Sequence, residues 1–493
     1  MGARMQDRFT EFCPDWRSLD FYIVLLGLAF CRAWIVLCLS AVAVVSLVET
    51  SNWTFLLAGS LAAAGVAAAS RRVASQERFG AKLRAITGVL TVLCAVAMPI
   101  ALTCGHGPAL MVLVVVGGAA SSFLQVLWGD QYARRPVPFA LACYPATAVV
   151  IALLIALVVG EQGFLAFFVF PLMSFVLLLV ETSRDDGEPV AADSEARAPL
   201  SRKSVVQLMV SIGVFSFLCR VFDSLPGEGV IDPFVVFGGS SVFALVVVGT
   251  LFLVFAFVCG EKFEPVFAYR LSLPLMALGM AIVSLFFYDH WALSVLLIGI
   301  GYELFDIVTW ILFVDLARRR EDPCGHYRVF GYGVAATLCG MGLGYLVGAQ
   351  LHACLLDGSV LMSTVGILCV TVLVVTAFLV IPEGTIAQVV GKRSRTRDAQ
   401  KAEGAPDGDG LADAGAPPAP SLEERCAAVA ADRHLTPREG EVLVLLARGR
   451  TLSIVMRDLQ IAKGTAQTHI ENVYAKLGVH KQQELIDLVE AYG

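Results

Sequence analysis

From Leu435 to His480 the chain reads LTPREGEVLVLLARGRTLSIVMRDLQIAKGTAQTHIENVYAKLGVH. Its apolar residues recur at helical spacing, and its start and stop residues cut it into pieces. Thr436 is a good N-cap, Pro437 suits the first helical position and Glu439 reinforces the N-terminus, which predicts a helix over about 437–448. Val442, Leu443, Leu445 and Leu446 form its apolar face, and Gly449 stops it. Thr451 caps a short second helix, about 452–459, whose inward residues are Val455, Met456 and Leu459. The turn Gln460-Ile461-Ala462 leads to a third helix, about 463–477, ended by Gly478. A fourth, about 481–492, presents Leu485, Leu488 and Val489.

Two helices joined by so short a turn make a helix-turn-helix. In that motif the later helix enters the major groove of DNA with its N-terminus first. The entering end is Lys463-Gly464-Thr465-Ala466-Gln467-Thr468-His469. Lys463 and Thr465 are placed to meet phosphates, which backbone N–H groups at a helix start also favour. Gln467 has the geometry for two bonds with adenine, Thr468 for a thymine methyl and Glu471 for a cytosine amine. Lys476 and His480 fall where contact with the DNA backbone is expected, and Thr436 and Thr451 are counted among the contact candidates at the helix starts.

The stretch resembles, position for position and without a gap, the DNA-binding domain of the LuxR/NarL/GerE family. The family's third helix usually reads Gly-Thr-Val-Lys-Thr-His, where this chain has Gly464-Thr465-Ala466-Gln467-Thr468-His469. Gln467 in place of lysine removes a guanine or phosphate contact. Ala462 replaces the usual Ser cap, at about 1 kcal/mol of capping. The second helix, usually Ser-Asn-Lys-Glu, opens Thr451-Leu452-Ser453-Ile454. The resemblance implies promoter DNA as a partner and a homodimer on that DNA. It also implies a dimer surface on the fourth helix (Leu485, Leu488, Val489) and half-sites about 34 Å apart. Residues 421–493 hold nine Lys/Arg against ten Asp/Glu. Non-specific affinity scales with the phosphates neutralised, so one copy alone binds weakly. The alternative is a degenerate domain that no longer binds DNA, against which stand Thr465, Thr468 and His469, retained on the recognition helix.

Outward from this domain the composition changes. Residues 382–420 are rich in Ala, Gly, Pro and Asp after a basic start at Lys392, Arg393, Arg395 and Arg397, and read as a flexible linker. About 30 such residues reach roughly 30 Å. Upstream the chain is of another kind. The whole is 57% hydrophobic and 16% charged, with mean hydropathy +0.75, against about 25% charged for a soluble domain.

Twelve apolar spans are predicted, at about 21–47, 53–69, 85–104, 108–129, 138–159, 163–181, 205–222, 234–259, 270–287, 291–315, 330–350 and 359–381. A polar loop at 182–204 splits them six and six. The fold class expected is all-α: a twelve-helix transmembrane bundle over 21–381 and a small four-helix helix-turn-helix domain at its C-terminus. Residues 1–20 are polar, with no cleavable signal expected. Every second loop carries the cations (Arg71, Arg72, Arg78, Lys82 and Arg84; Arg134 and Arg135; the central loop; Lys262; Arg318, Arg319, Arg320 and Arg328), and the alternate loops carry none. Positive charge collects on the cytoplasmic side, so both termini are expected in the cytoplasm of a cell whose inner membrane holds the protein.

Two six-helix halves with a cytoplasmic middle loop resemble the major facilitator superfamily. That family's signature after the second helix departs here: Ser70–Arg84 reads SRRVASQERFGAKLR, without the usual Asp. The resemblance implies that the first, fourth, seventh and tenth helices line a cavity. Arg32, Gln125, Arg220, Glu303 and Asp306 would then converge there on an unknown small-molecule signal. A buried Arg–carboxylate lock between the halves is the other reading. Glu303, Asp306, Gly299 and Trp310 share one helix face. Gly340, Gly344 and Gly348 mark close helix packing.

The 13 cysteines lie mainly in apolar stretches and read as packing residues, with no metal spacing. No cofactor or catalytic motif appears, so no enzyme is expected. The sequence points to a membrane-bound regulator of transcription. The alternative is a secondary transporter with a regulatory or vestigial DNA-binding tail.

Overall fold

The computed structural model describes residues 13–41, 48–73, 75–104, 107–158, 163–184, 202–223, 225, 239–259, 266–286, 290–319, 322, 324–356, 358, 360–380, 422–448, 456, 459, 463–479 and 482–490. Among these residues there is helix and turn and no strand. The chain divides into two compact units, Met1–Gly404 and Ala405–Gly493. The linker expected at 382–420 and most of the central loop lie outside the described residues.

The first unit holds α1 (Leu19–Ala41), α2 (Val48–Ala69), α3 (Gln76–Cys104), α4 (Gly107–Ala133), α5 (Val137–Val158) and α6 (Gly163–Arg184). Then come α7 (Arg202–Asp223), α8 (Gly239–Cys259), α9 (Val266–Phe286), α10 (Trp291–Arg318), α11 (Gly325–Leu356) and α12 (Met362–Val380). Ten of these are long and apolar enough to cross a membrane, and α8 and α12 carry shorter apolar runs, Phe243–Ala256 and Met362–Ala377. The protein is a multi-pass membrane protein with the twelve helices expected.

Helices outrun the apolar spans that mark them. Arg78, Lys82 and Arg84, read from sequence as loop, sit on the first turns of α3. α11 extends from Gly325 to Leu356, beyond the 330–350 span. Hydropathy marks only the hydrocarbon core of about 30 Å, whereas a helix continues through the headgroup layer, where its polar residues are solvated.

Packing repeats with a shift of six helices. In the first half α1 packs on α5 and α6, α2 on α4, and α3 on α4 and α6. In the second, α7 packs on α11 and α12, α8 on α10, and α9 on α10 and α12. The halves meet along α2–α11 and α5–α8, which the same shift interchanges. Glycine sets the tightest approach. A Cβ on Gly340 of α11 would collide with the Gly213 carbonyl oxygen of α7, and one on Gly344 would lie 2.5 Å from the Phe217 carbonyl oxygen. Small residues let backbones touch where lipid supplies no hydrophobic drive to association.

The second unit contains α13 (Leu422–Asp432), α14 (Pro437–Ala447), α15 (Lys463–Leu477) and α16 (Gln482–Glu490). Of the expected second helix only Met456 and Leu459 are described, both helical; Thr451, Gly449 and His480 lie outside the described residues. The sequence reading omits α13. It contributes Cys426 and Val429 to a core shared with Val442, Leu443, Leu446, Ala466, Val473, Leu477, Leu485 and Val489. Leu485 and Val489, expected at a dimer surface, are fully buried in this core, and Leu488 is partly buried. A nine-residue helix has one apolar stripe, and the domain's own interior uses it.

Candidate functional site

Thr436 caps α14 as the sequence predicts. Its hydroxyl accepts from the Glu439 amide at 3.3 Å, and the Glu439 carboxylate accepts from the Thr436 amide at 2.8 Å. Lys476, from the far end of α15, donates to the same carboxylate at 2.6 Å and to the His434 carbonyl at 3.3 Å. The ammonium of Lys476 and the amide of Thr436 hold the buried Glu439 carboxyl down at about 2. Thus Thr436 and Lys476, expected against DNA, carry helix-joining bonds here. His434 has a left-handed backbone (φ 51°) and ends α13, with Leu435 N–H bonded to the Ala430 carbonyl at 2.9 Å. Gly478 (φ 70°) ends α15 in the same way, with Val479 N–H on the Tyr474 carbonyl at 3.1 Å.

On α15 the inward residues are Ala466, Val473 and Leu477, all buried. Gly464, Thr465, Gln467, Thr468 and Glu471 are exposed on one side, which places four of the contact candidates on a common open face. Thr468 donates to the Gly464 carbonyl at 3.0 Å. Its hydroxyl is thus used within the helix, and the methyl is what it has left to offer a base. Lys463 lies at the helix start. The open face can present a bidentate amide, an acceptor and a methyl to base edges.

In the membrane unit, Arg32 of α1 meets Asp306 of α10 at 3.0 Å and Glu303 at 3.8 Å. Tyr144 of α5 completes the cluster: Arg32 donates to its hydroxyl at 2.5 Å, and that hydroxyl donates to Asp306 at 2.6 Å. The Tyr144 and Trp310 rings stack at 4.9 Å and 13°. Around them is a cavity of about 90 Å³ bounded by α1, α4, α5, α10 and α11, with Arg32, Gln125, Tyr144, Asp306 and Trp310 in its wall. Three of the five expected residues therefore line it. Glu303, 3.8 Å from Arg32, is outside the wall, as is Arg220, which lies over the Tyr302 and Tyr345 rings at 6.0 and 5.9 Å. The sequence reading missed Tyr144, because one tyrosine in an apolar helix carries no signal of its own. It also missed α11 as a wall.

A second polar cluster joins the halves. Asp130 at the end of α4, 1% exposed, accepts from Arg134, from the Tyr327 hydroxyl at 3.2 Å, and lies 3.2 Å from His326 Nδ1. Arg318 of α10 donates to the Arg135 carbonyl at 2.8 Å, and Arg135 pairs with Glu181 of α6.

Comparison with known proteins assigns the terminal domain. Residues 433–489 match the family described as "Bacterial regulatory proteins, luxR family". This segment is a LuxR-type helix-turn-helix domain, a DNA-binding class. A stretch of 55 residues is 44% identical to YgeK, an uncharacterized response regulatory protein of Escherichia coli strain K12. The match covers 11% of this chain and spans 37% of that protein's length. Three solved transporters are similar to the membrane unit. The E. coli fucose:proton symporter FucP, solved as a point variant, has a TM-score of 0.47 at 11% identity, covering 76% of this chain and 100% of that one. The nucleoside transporter NupG scores 0.43 at 14% identity, over 73% of this chain and 96% of that one. The human organic anion transporter MFSD10 scores 0.45 at 13%, over 72% and 98%.

Proposed function

We propose that this chain is a membrane-anchored transcription regulator of the inner membrane, with both termini in the cytoplasm. Its twelve-helix unit senses a small molecule in the cavity beside Arg32 and Asp306. Residues 382–420 join this unit to the DNA-binding domain, which reads a promoter. The observation that carries this reading is the open face of Thr465, Gln467, Thr468 and Glu471 on the same chain as a multi-pass bundle. A ligand acts only through unequal affinity for two states of the bundle. On DNA two copies pair, using the side of α16 that the core leaves open.

The test is genome-wide DNA occupancy of the full chain beside a Gln467→Ala/Thr468→Ala variant. Discrete peaks that vanish in the variant are expected. A properly inserted and expressed protein without peaks sinks the reading. Transport is the second reading, favoured by the ion pair lying in a cavity between the halves. It requires uptake by vesicles that depends on Glu303 and Asp306.

A further inference from the structure

We infer that the membrane cavity takes a small uncharged molecule with oxygen acceptors, held by the Trp310 indole and the Gln125 amide rather than by the ion pair; this rests on the sensing reading above. The charges in the wall are already satisfied. Arg32 and Asp306 are the charged residues lining the cavity, and they are bonded to each other at 3.0 Å and through Tyr144. An anion would have to take Arg32 from both Asp306 and Glu303 and so leave buried carboxylates unpaired in a low-dielectric interior. A cation on Asp306 would leave Arg32 its pair with Glu303, but it brings no acceptor to the unmet donors of the wall.

What the wall lacks is acceptors. Trp310 is 5% exposed, and its Nε1 has no hydrogen-bond partner among the described residues. Gln125 Nε2 is buried and without one as well. An indole N–H only donates, so its partner has to present an acceptor. A buried donor left unmet is costly, and a ligand that meets it gains what the apo wall forgoes. Size narrows the class further. At about 90 Å³ the space is smaller than the ~150 Å³ void that admits benzene. It suits a short amide, carbonyl compound or diol of few heavy atoms.

An isosteric series tests this on the full chain in nanodiscs. Acetamide, acetate and acetamidinium share one shape and differ in charge, and saturation-transfer NMR reads the binding of each. Acetamide is expected to bind about ten-fold more tightly than either ion, and Gln125→Leu and Trp310→Phe are each expected to weaken it by about five- to ten-fold. A charged member binding as tightly as acetamide overturns the inference. So does acetamide binding that neither substitution moves, or no acetamide binding at millimolar concentration. Should a variant fail to fold, the wild-type series alone decides on charge. The two readings fail separately. Acetate binding that is lost in Arg32→Met removes the uncharged class and leaves a sensing cavity. Absent promoter occupancy with intact acetamide binding removes the regulator and leaves this chemistry.

Discussion

Each unit of the molecule fastens its helices with a cation on a carboxylate, and each braces that pair differently. In the bundle the Tyr144 hydroxyl bridges Arg32 and Asp306, which joins α1, α5 and α10. In the terminal domain Lys476 meets Glu439, whose carboxylate also accepts from the Thr436 backbone amide, which joins α15 to the start of α14. The pair in the terminal domain has water at hand: the Lys476 side chain is 37% exposed, and losing one partner lets solvent step in. The pair in the bundle has less recourse, with side chains at most 19% exposed. The same kind of pair is therefore a modest fastening in one place and an obligatory one in the other.

The largest expected effect is Arg32→Met, which strands Asp306 and Glu303. Breaking a buried pair from one side costs about 3–5 kcal/mol. Thermal unfolding of the purified full chain should show this, and Arg32→Met/Asp306→Leu, which still leaves Glu303 without its cation, should recover part of it. A double variant as weak as the single one would contradict the pairing. Next is Gly340→Leu, whose side chain has nowhere to go against α7. Forced overpacking of a helix contact costs about 1–3 kcal/mol or more, read as lower Tm and lower yield of inserted protein.

Smaller is Lys476→Met, about 1–3 kcal/mol in urea unfolding of the Ala405–Gly493 unit, because the carboxylate of Glu439 loses its charged donor. Its pH signature has a definite sign. The Glu439 carboxyl lies at about 2 in the folded domain against 4.5 as an ordinary side chain. Its contribution is therefore complete above about 4.5 and is lost as pH falls from there towards about 2. Glu439→Gln should flatten that acid limb, and an unchanged limb would remove Glu439 from the account. Smallest is His434→Gly, expected to stabilise by about 0.5–1 kcal/mol through relief of the left-handed backbone.

Sequence made most of the fold legible because its signals are long and repeated: an apolar span of some 20 residues is hard to mistake. The caps of α14 and α15 were legible for a local reason, since Thr436, Pro437, Glu439 and Gly478 act on their own neighbours. What stayed hidden depends on contacts distant in sequence. Tyr144 matters only because α1 and α10 bring a cation and a carboxylate to it. Lys476 was assigned to DNA by its place on the recognition helix, while its partner lies 37 residues away. α13 gives a weak signal because its larger apolar residues, Leu422, Cys426 and Val429, are few among its alanines.

The cavity's walls come from both halves, α1, α4 and α5 from one and α10 and α11 from the other. Its volume is therefore a coordinate of the whole bundle. Any molecule that fits it at one separation of the halves and not at another does work on that separation. By reciprocity, whatever shifts the halves retunes the affinity by the same factor.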